Sequence, residues 1–160
     1  MGMNWDQNIS SFIQRANQQE VRMIMVGSCA SNFYGYNGES SAVDFWVEAT
    51  SENLKKIMAV LKELGPELTD LPIPIANSKQ NISIKFSPTS SPLELITHFV
   101  IDKSFTWAYE DSRETSLEED STVKWRVLAL EDLIVSKTYS FEPKDLIELQ
   151  ELRRISKSEA

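Results

Sequence analysis

Gly27-Ser28 stands where an apolar run, Val21 to Val26, gives way to a short stretch of helical character from Cys29 to Tyr34. A glycine there permits a tight turn and close approach to the backbone. The following helix start presents unpaired N–H groups to a phosphate, and Ser28 adds a hydroxyl donor. Alone, the pair is also an ordinary strand-to-helix turn, so its meaning depends on what lies downstream. Two acids follow on alternating runs. Asp44 lies in Ala42 to Glu48, where Ala42, Asp44, Trp46 and Glu48 share one side and Val43, Phe45 and Val47 the other. Glu94 lies in Leu93 to His98 and shares parity with His98. As isolated residues, Asp44 reads equally as a strand-edge or capping acid, and Glu94 as an exposed strand residue. Lys137 and Lys144 sit on predicted helices, from which a lysine reaches either a phosphate or solvent. Cys29 is near a helix start, a place that lowers a thiol pKa. It has no evident histidine partner and reads as a buried structural thiol. No P-loop, dinucleotide-binding glycine pattern or serine elbow occurs.

The elements that position these groups follow from periodicity. Trp5, Ile9, Phe12, Ile13 and Ala16 fall on one face of an N-terminal amphipathic helix. Val21 to Val26 reads as a buried strand. Ser51 starts a helix with Leu54, Ile57, Met58, Leu61 and Leu64 at helical spacing, closed by Gly65-Pro66. That helix is structural, with Lys55, Lys56, Lys62 and Glu63 on its solvent side. Pro72 and Pro74 break any helix or central strand in the stretch after it. Ile82, Ile84 and Phe86 alternate as a strand. Val123 to Val127 is a strand paired with the residues before Glu118 through an acidic turn. Leu130 to Tyr139 and Pro143 to Ile155 are two closing helices, the second with proline in its first turn. Residues 156–160 read as a frayed tail, and the four tryptophans as core builders.

A chain of 160 residues with 41% hydrophobic content suffices for one compact domain, here taken as 1–160. The expected class is α/β (α+β): a mixed β-sheet flanked by helices, with a short C-terminal helical pair. One cysteine excludes an internal disulfide framework and fits a reducing, cytoplasmic setting. One cysteine and one histidine also argue against a structural zinc site. No apolar run approaches the length needed to cross a bilayer, so no membrane partner is expected. The net charge of -8 argues against an extended nucleic-acid surface, which needs a basic face to displace counterions. Part of that charge is local, in Glu110-Asp111, Glu114 and Glu118-Glu119-Asp120, and reads as a solvated hairpin surface.

Several segments together resemble the polymerase β-like nucleotidyltransferases. They are the Val26-Gly27-Ser28 turn, the aromatic Phe33-Tyr34-Gly35-Tyr36, the acidic strand around Trp46, and Ser51-Glu52-Asn53 opening a helix. Leu128-Ala129-Leu130-Glu131-Asp132-Leu133-Ile134, Lys137 and Pro143-Lys144-Asp145-Leu146 are similar to the C-terminal region of small stand-alone bacterial members. Those members include relatives of the transferase toxins of toxin–antitoxin pairs. The resemblance implies a nucleotidyltransferase-like fold, and an activity in which three carboxylates hold Mg²⁺ or Mn²⁺ against a nucleoside triphosphate. It implies Asp44 as the second carboxylate and Glu94 as the third, both metal ligands and catalytic, with Gly27, Ser28 and Lys137 on the phosphates. The first carboxylate position holds Ala42, whose methyl group cannot bind metal.

Two expectations follow. One is a degenerate member that binds a nucleotide or an antitoxin-like protein partner without efficient catalysis, and needs no metal. The other is an active metal-dependent transferase moving a nucleoside monophosphate from the triphosphate to a hydroxyl on protein, RNA or a small molecule. Glu39 and Glu48 are candidates for a displaced ligand. Glu48 lies four residues beyond Asp44, roughly 13 Å along an extended strand.

Overall fold

The computed structural model describes residues 7–38, 42–64, 81–84, 92–140 and 142–159. Helix α1 (Gln7–Gln18) buries Ile9, Phe12, Ile13 and Ala16 completely, the stripe that its spacing predicts. Strand β1 (Met23–Val26) is buried along its whole length. It leads directly into helix α2 (Gly27–Phe33), and strand β2 (Val43–Val47) returns antiparallel to it.

Helix α3 (Ser51–Glu63) is capped by Thr50, whose hydroxyl accepts from the Asn53 backbone N–H at 3.2 Å. Asn53 itself is buried and serves the sheet: its side chain accepts from the Arg22 N–H at 2.8 Å and donates to the carbonyls of Arg22 and Glu48. It thus closes the end of the β1–β2 ladder with an amide borrowed from a helix. Ile57, Leu61 and Leu64 are buried, whereas Lys55, Lys62 and Glu63 are exposed, as the helical stripe requires.

Strand β3 (Asn81–Ile84) pairs antiparallel with β4 (Leu93–Ile96), and β4 runs parallel to β2. Helix α4 (Phe105–Asp111) precedes a hairpin of β5 (Arg113–Ser116) and β6 (Lys124–Val127). β6 lies parallel to β1, and helices α5 (Leu130–Thr138) and α6 (Pro143–Glu159) close the order. Among the described residues the sheet is six-stranded and mixed, ordered β3-β4-β2-β1-β6-β5.

Strand alternation gives this sheet two unlike faces. Met23, Met25, Val43, Phe45, Val47, Leu93, Leu95 and Val127 share one face and are all buried in the core that also holds the α1 and α3 stripes. The other face carries Ile24, Val26, Asp44, Trp46, Glu94 and Ile96. Trp46 is covered there by Phe99 and Phe105, with ring centroids 5.4 and 5.1 Å away. Arg22 and Arg126 stack on Tyr109 at 4.2 and 4.8 Å, fastening α4 at this end. The Asp44–Glu94 end of the same face is half-buried.

Several expectations change. Helix α4, a segment for which no element is expected, turns Phe105, Ala108 and Tyr109 toward the core at helical spacing. Trp46 and Trp125 build the core, but Trp107 is 56% exposed, with Lys103 over its ring at 5.2 Å. The acidic run divides, since Glu110 and Asp111 end α4, Glu114 is in β5, and Glu118 to Asp120 occupy the hairpin connection. α6 continues to Glu159, beyond the Ser156 at which fraying is expected; the Ser156 hydroxyl donates to Glu131 at 2.8 Å. Trp5, Glu39, Phe86 and Pro66 to Gln80 lie outside the described residues.

Candidate functional site

β1 ends at Val26, and the chain turns at Gly27 with φ +74°, a conformation that an L side chain rarely adopts. A Cβ at Gly27 would stand 2.5 Å from Asp44 Oδ2. Glycine is therefore needed twice over, once for the backbone and once for the carboxylate that fills the space. Val26 faces Asp44 across the antiparallel ladder, and Asp44 faces Glu94 across the parallel one. The turn and both carboxylates consequently meet at one end of one face.

The electrostatics reflect that proximity. Burial, and next the neighbouring Glu94 charge, push the Asp44 carboxyl up to about 6, against the opposing pull of Lys137 and Lys144. Those lysines come from α5 and α6, so the closing helices bring positive charge toward the carboxylate pair. Burial, and then Asp44, also push the Cys29 thiol up to about 12, which leaves it protonated and unreactive at neutral pH.

The lysine and the serine singled out by the sequence are already engaged. Lys137 is nearly buried and forms ion pairs with Glu148 at 2.6 Å and Asp145 at 3.3 Å. The Ser28 hydroxyl donates to Glu148 Oε1 at 2.8 Å, and that of Ser31 donates to Glu148 Oε2 at 3.0 Å. Burial raises the Asp145 carboxyl, but the Ser140 hydroxyl and the Lys137 charge outweigh it and hold the group below its ordinary value. Sequence reasoning missed Glu148, Asp145 and Ser31. The available signal was weak: Asp145 and Glu148 stand three apart on one helical face, bracketing the apolar Leu146 and Ile147.

Other candidates fall away from this cluster. Glu48 pairs with Arg22 at 3.2 Å, at the end of β2 far from Asp44. β4 stops at Ile96, so the strand parity linking His98 to Glu94 does not extend to it, and His98 is exposed. Among the described residues no three His, Cys, Asp or Glu side chains are grouped to hold a metal. Asp44 and Glu94 are a two-carboxylate set whose mutual repulsion a cation would relieve. That set suits one hard ion such as Mg²⁺, which keeps several waters and is commonly bound through one or two carboxylates together with substrate phosphates.

No protein-family model and no curated protein matches the chain. Solved structures do. The crystal structure of the lincosamide antibiotic adenylyltransferase LnuA, lincomycin-bound, aligns over 95% of this chain and 99% of its own, with a TM-score of 0.58 at 12% identity. The solution structure of the antibiotic-resistance factor ANT(2'')-Ia aligns over 95% of this chain and 82% of its own, with a TM-score of 0.56 at 12% identity. The likeness establishes a nucleotidyltransferase-like fold. Among the described residues no helix is long and apolar enough to cross a membrane.

Proposed function

We propose that this protein binds a nucleoside triphosphate at the Asp44–Glu94 end of its sheet and transfers nucleotidyl groups poorly. The observation that carries this reading is the carboxylate pair beside the positive-φ turn at Gly27, with two lysines within electrostatic reach. Asp44 and Glu94 would hold one Mg²⁺ or Mn²⁺, which when bound neutralises phosphate charge. Gly27 leaves room for the Asp44 carboxylate beside the turn, and Lys137 and Lys144 add positive charge from the closing helices. Ala42 occupies the first carboxylate position of the resembled family and contributes no ligand, so the negative charge needed for a second ion is short by one unit.

A second reading, active transfer to a hydroxyl on a small molecule, draws support from the whole-length alignment with an antibiotic adenylyltransferase. A protein partner has in its favour the exposed Tyr139, Leu146 and Ile147 on the closing helices.

Calorimetric titration with each nucleoside triphosphate in Mg²⁺ or Mn²⁺, followed by transfer from labelled triphosphate, separates these readings. The proposal expects metal-dependent binding that Asp44→Ala weakens by about 10–100-fold or more, with little transfer by the wild type. Robust wild-type transfer abolished by Asp44→Ala would establish the active reading. Absence of binding by any triphosphate would reject both nucleotide readings.

A further inference from the structure

Glu148 is among the most deeply buried charged side chains described, and its partners come from two other elements. It is 3% exposed and accepts from Ser28 and Ser31 of α2 while pairing with Lys137 of α5. A carboxylate removed from water is tolerated only where its acceptor capacity is filled, and three donors fill it here. Ser28 and Glu148 are 120 residues apart in the chain, so this one side chain ties the closing helices to the turn that follows β1. Lys137 is nearly buried between Glu148 and Asp145, yet its charge still acts on Asp44. A free lysine carries rotamer entropy that a ligand would otherwise have to overcome. Glu148 removes that freedom in advance.

We propose that Glu148 is a positioning residue, which holds the Ser28 turn of α2 and the Lys137 ammonium in fixed register with the Asp44–Glu94 pair. The nucleotide part of this inference rests on the reading above; the geometric part does not. Glu148 touches neither carboxylate of the pair and acts through Ser28 and Lys137. Glu148→Gln keeps the size of the side chain but replaces one acceptor oxygen with a donor. One neutral oxygen then faces three donors: the Lys137 ion pair loses its negative partner, and one serine hydroxyl loses its acceptor. Glu148→Asp keeps the charge and shortens the reach by one methylene.

Two readouts test the proposal. The first needs no ligand: Cys29 is buried in α2 between the two serines, so its alkylation rate in the native protein reports loosening of that helix. The second is the Kd for Mg²⁺-ATP and for the other three triphosphates. Leu61→Ala, on α3 and buried, serves as a control that destabilises away from the closing helices.

Glu148→Gln should speed Cys29 alkylation by about tenfold or more beyond the Leu61→Ala control. It should also weaken triphosphate binding by about 10–100-fold, as is typical when an outer-shell partner is lost. Glu148→Asp should recover part of both. Unchanged alkylation and Kd would overturn the proposal, as would alkylation no faster than in the control. Tighter triphosphate binding by Glu148→Gln would also overturn it, because Glu148 would then be withholding Lys137 from the ligand. Faster alkylation in a protein that binds no triphosphate would support the positioning role and reject the nucleotide reading.

Discussion

Asp44→Asn keeps the side chain's shape and removes a charge that the folded protein holds at a disadvantage. Burial and the Glu94 charge raise the Asp44 carboxyl from 3.8 to about 6. The difference is about two pH units, and each unit corresponds to 1.36 kcal/mol, so the charged form costs the native state about 3 kcal/mol. A carboxyl raised by folding contributes stability that is fully present below its unfolded pKa and is lost as pH rises through the folded value. The wild type should therefore lose stability between about pH 4 and pH 6, relative to the asparagine variant, and then level off. Asp44→Asn should be more stable by up to about 3 kcal/mol near neutrality, and close to wild type at about pH 4. Urea melts of both proteins across this range would show it as a pH-dependent separation of midpoints at constant m. Saturating Mg²⁺ should narrow the gap, because an ion bound by the charged carboxylate stabilises the wild-type native state alone. A pH-independent difference, or an asparagine variant less stable than wild type near neutrality, would show that the Asp44 charge is already compensated and would refute the reasoning.

Gly27→Ala should destabilise the fold by about 1–3 kcal/mol, as expected for a strained left-handed residue, and should displace the Asp44 carboxylate, read as weakened Mn²⁺ binding by calorimetry. Leu61→Ala should cost about 2–5 kcal/mol in a denaturant melt, since Leu61 is 2% exposed, whereas Lys55→Ala should change stability by less than about 0.5 kcal/mol. Ala42→Asp should tighten Mn²⁺ binding measured by isothermal titration, and an unchanged or weaker Kd would remove Ala42 from the account of the site.

The repeating elements were legible because their signals are local. The α1 stripe, the α3 stripe and the alternation in β2 and β4 each depend on side chains a few residues apart. The same alternation placed Asp44 and Glu94 on like faces of their strands. Their direct pairing also depends on register between strands distant in sequence, a feature that local periodicity does not encode. Ser28 illustrates the limit. Its position after a strand suggested a free donor to phosphate, but its partner Glu148 sits 120 residues away on a helix with no distinguishing pattern. α4 escaped detection for the opposite reason: its aromatics alternate like those of a strand, and the arginines that fasten it come from β6 and from just before β1. Trp107 shows that residue type alone does not set burial, since it lies outward while Phe105 and Tyr109 turn toward the sheet.

The Ser28–Glu148 hydrogen bond also bears on the order in which the chain can assemble. Bringing two groups 120 residues apart into contact carries a larger loop-closure entropy than forming the β5–β6 hairpin or the first turns of α3. The sheet's local pairings can close while α6 is still undocked, and at that stage Lys137, Ser28 and Ser31 lack their shared carboxylate. The Ser28 and Lys137 side of the candidate site therefore depends on the docking of α6, whereas the Asp44–Glu94 pair depends on strand pairing alone. Any assay that reads the Ser28 and Lys137 side reads the completed fold.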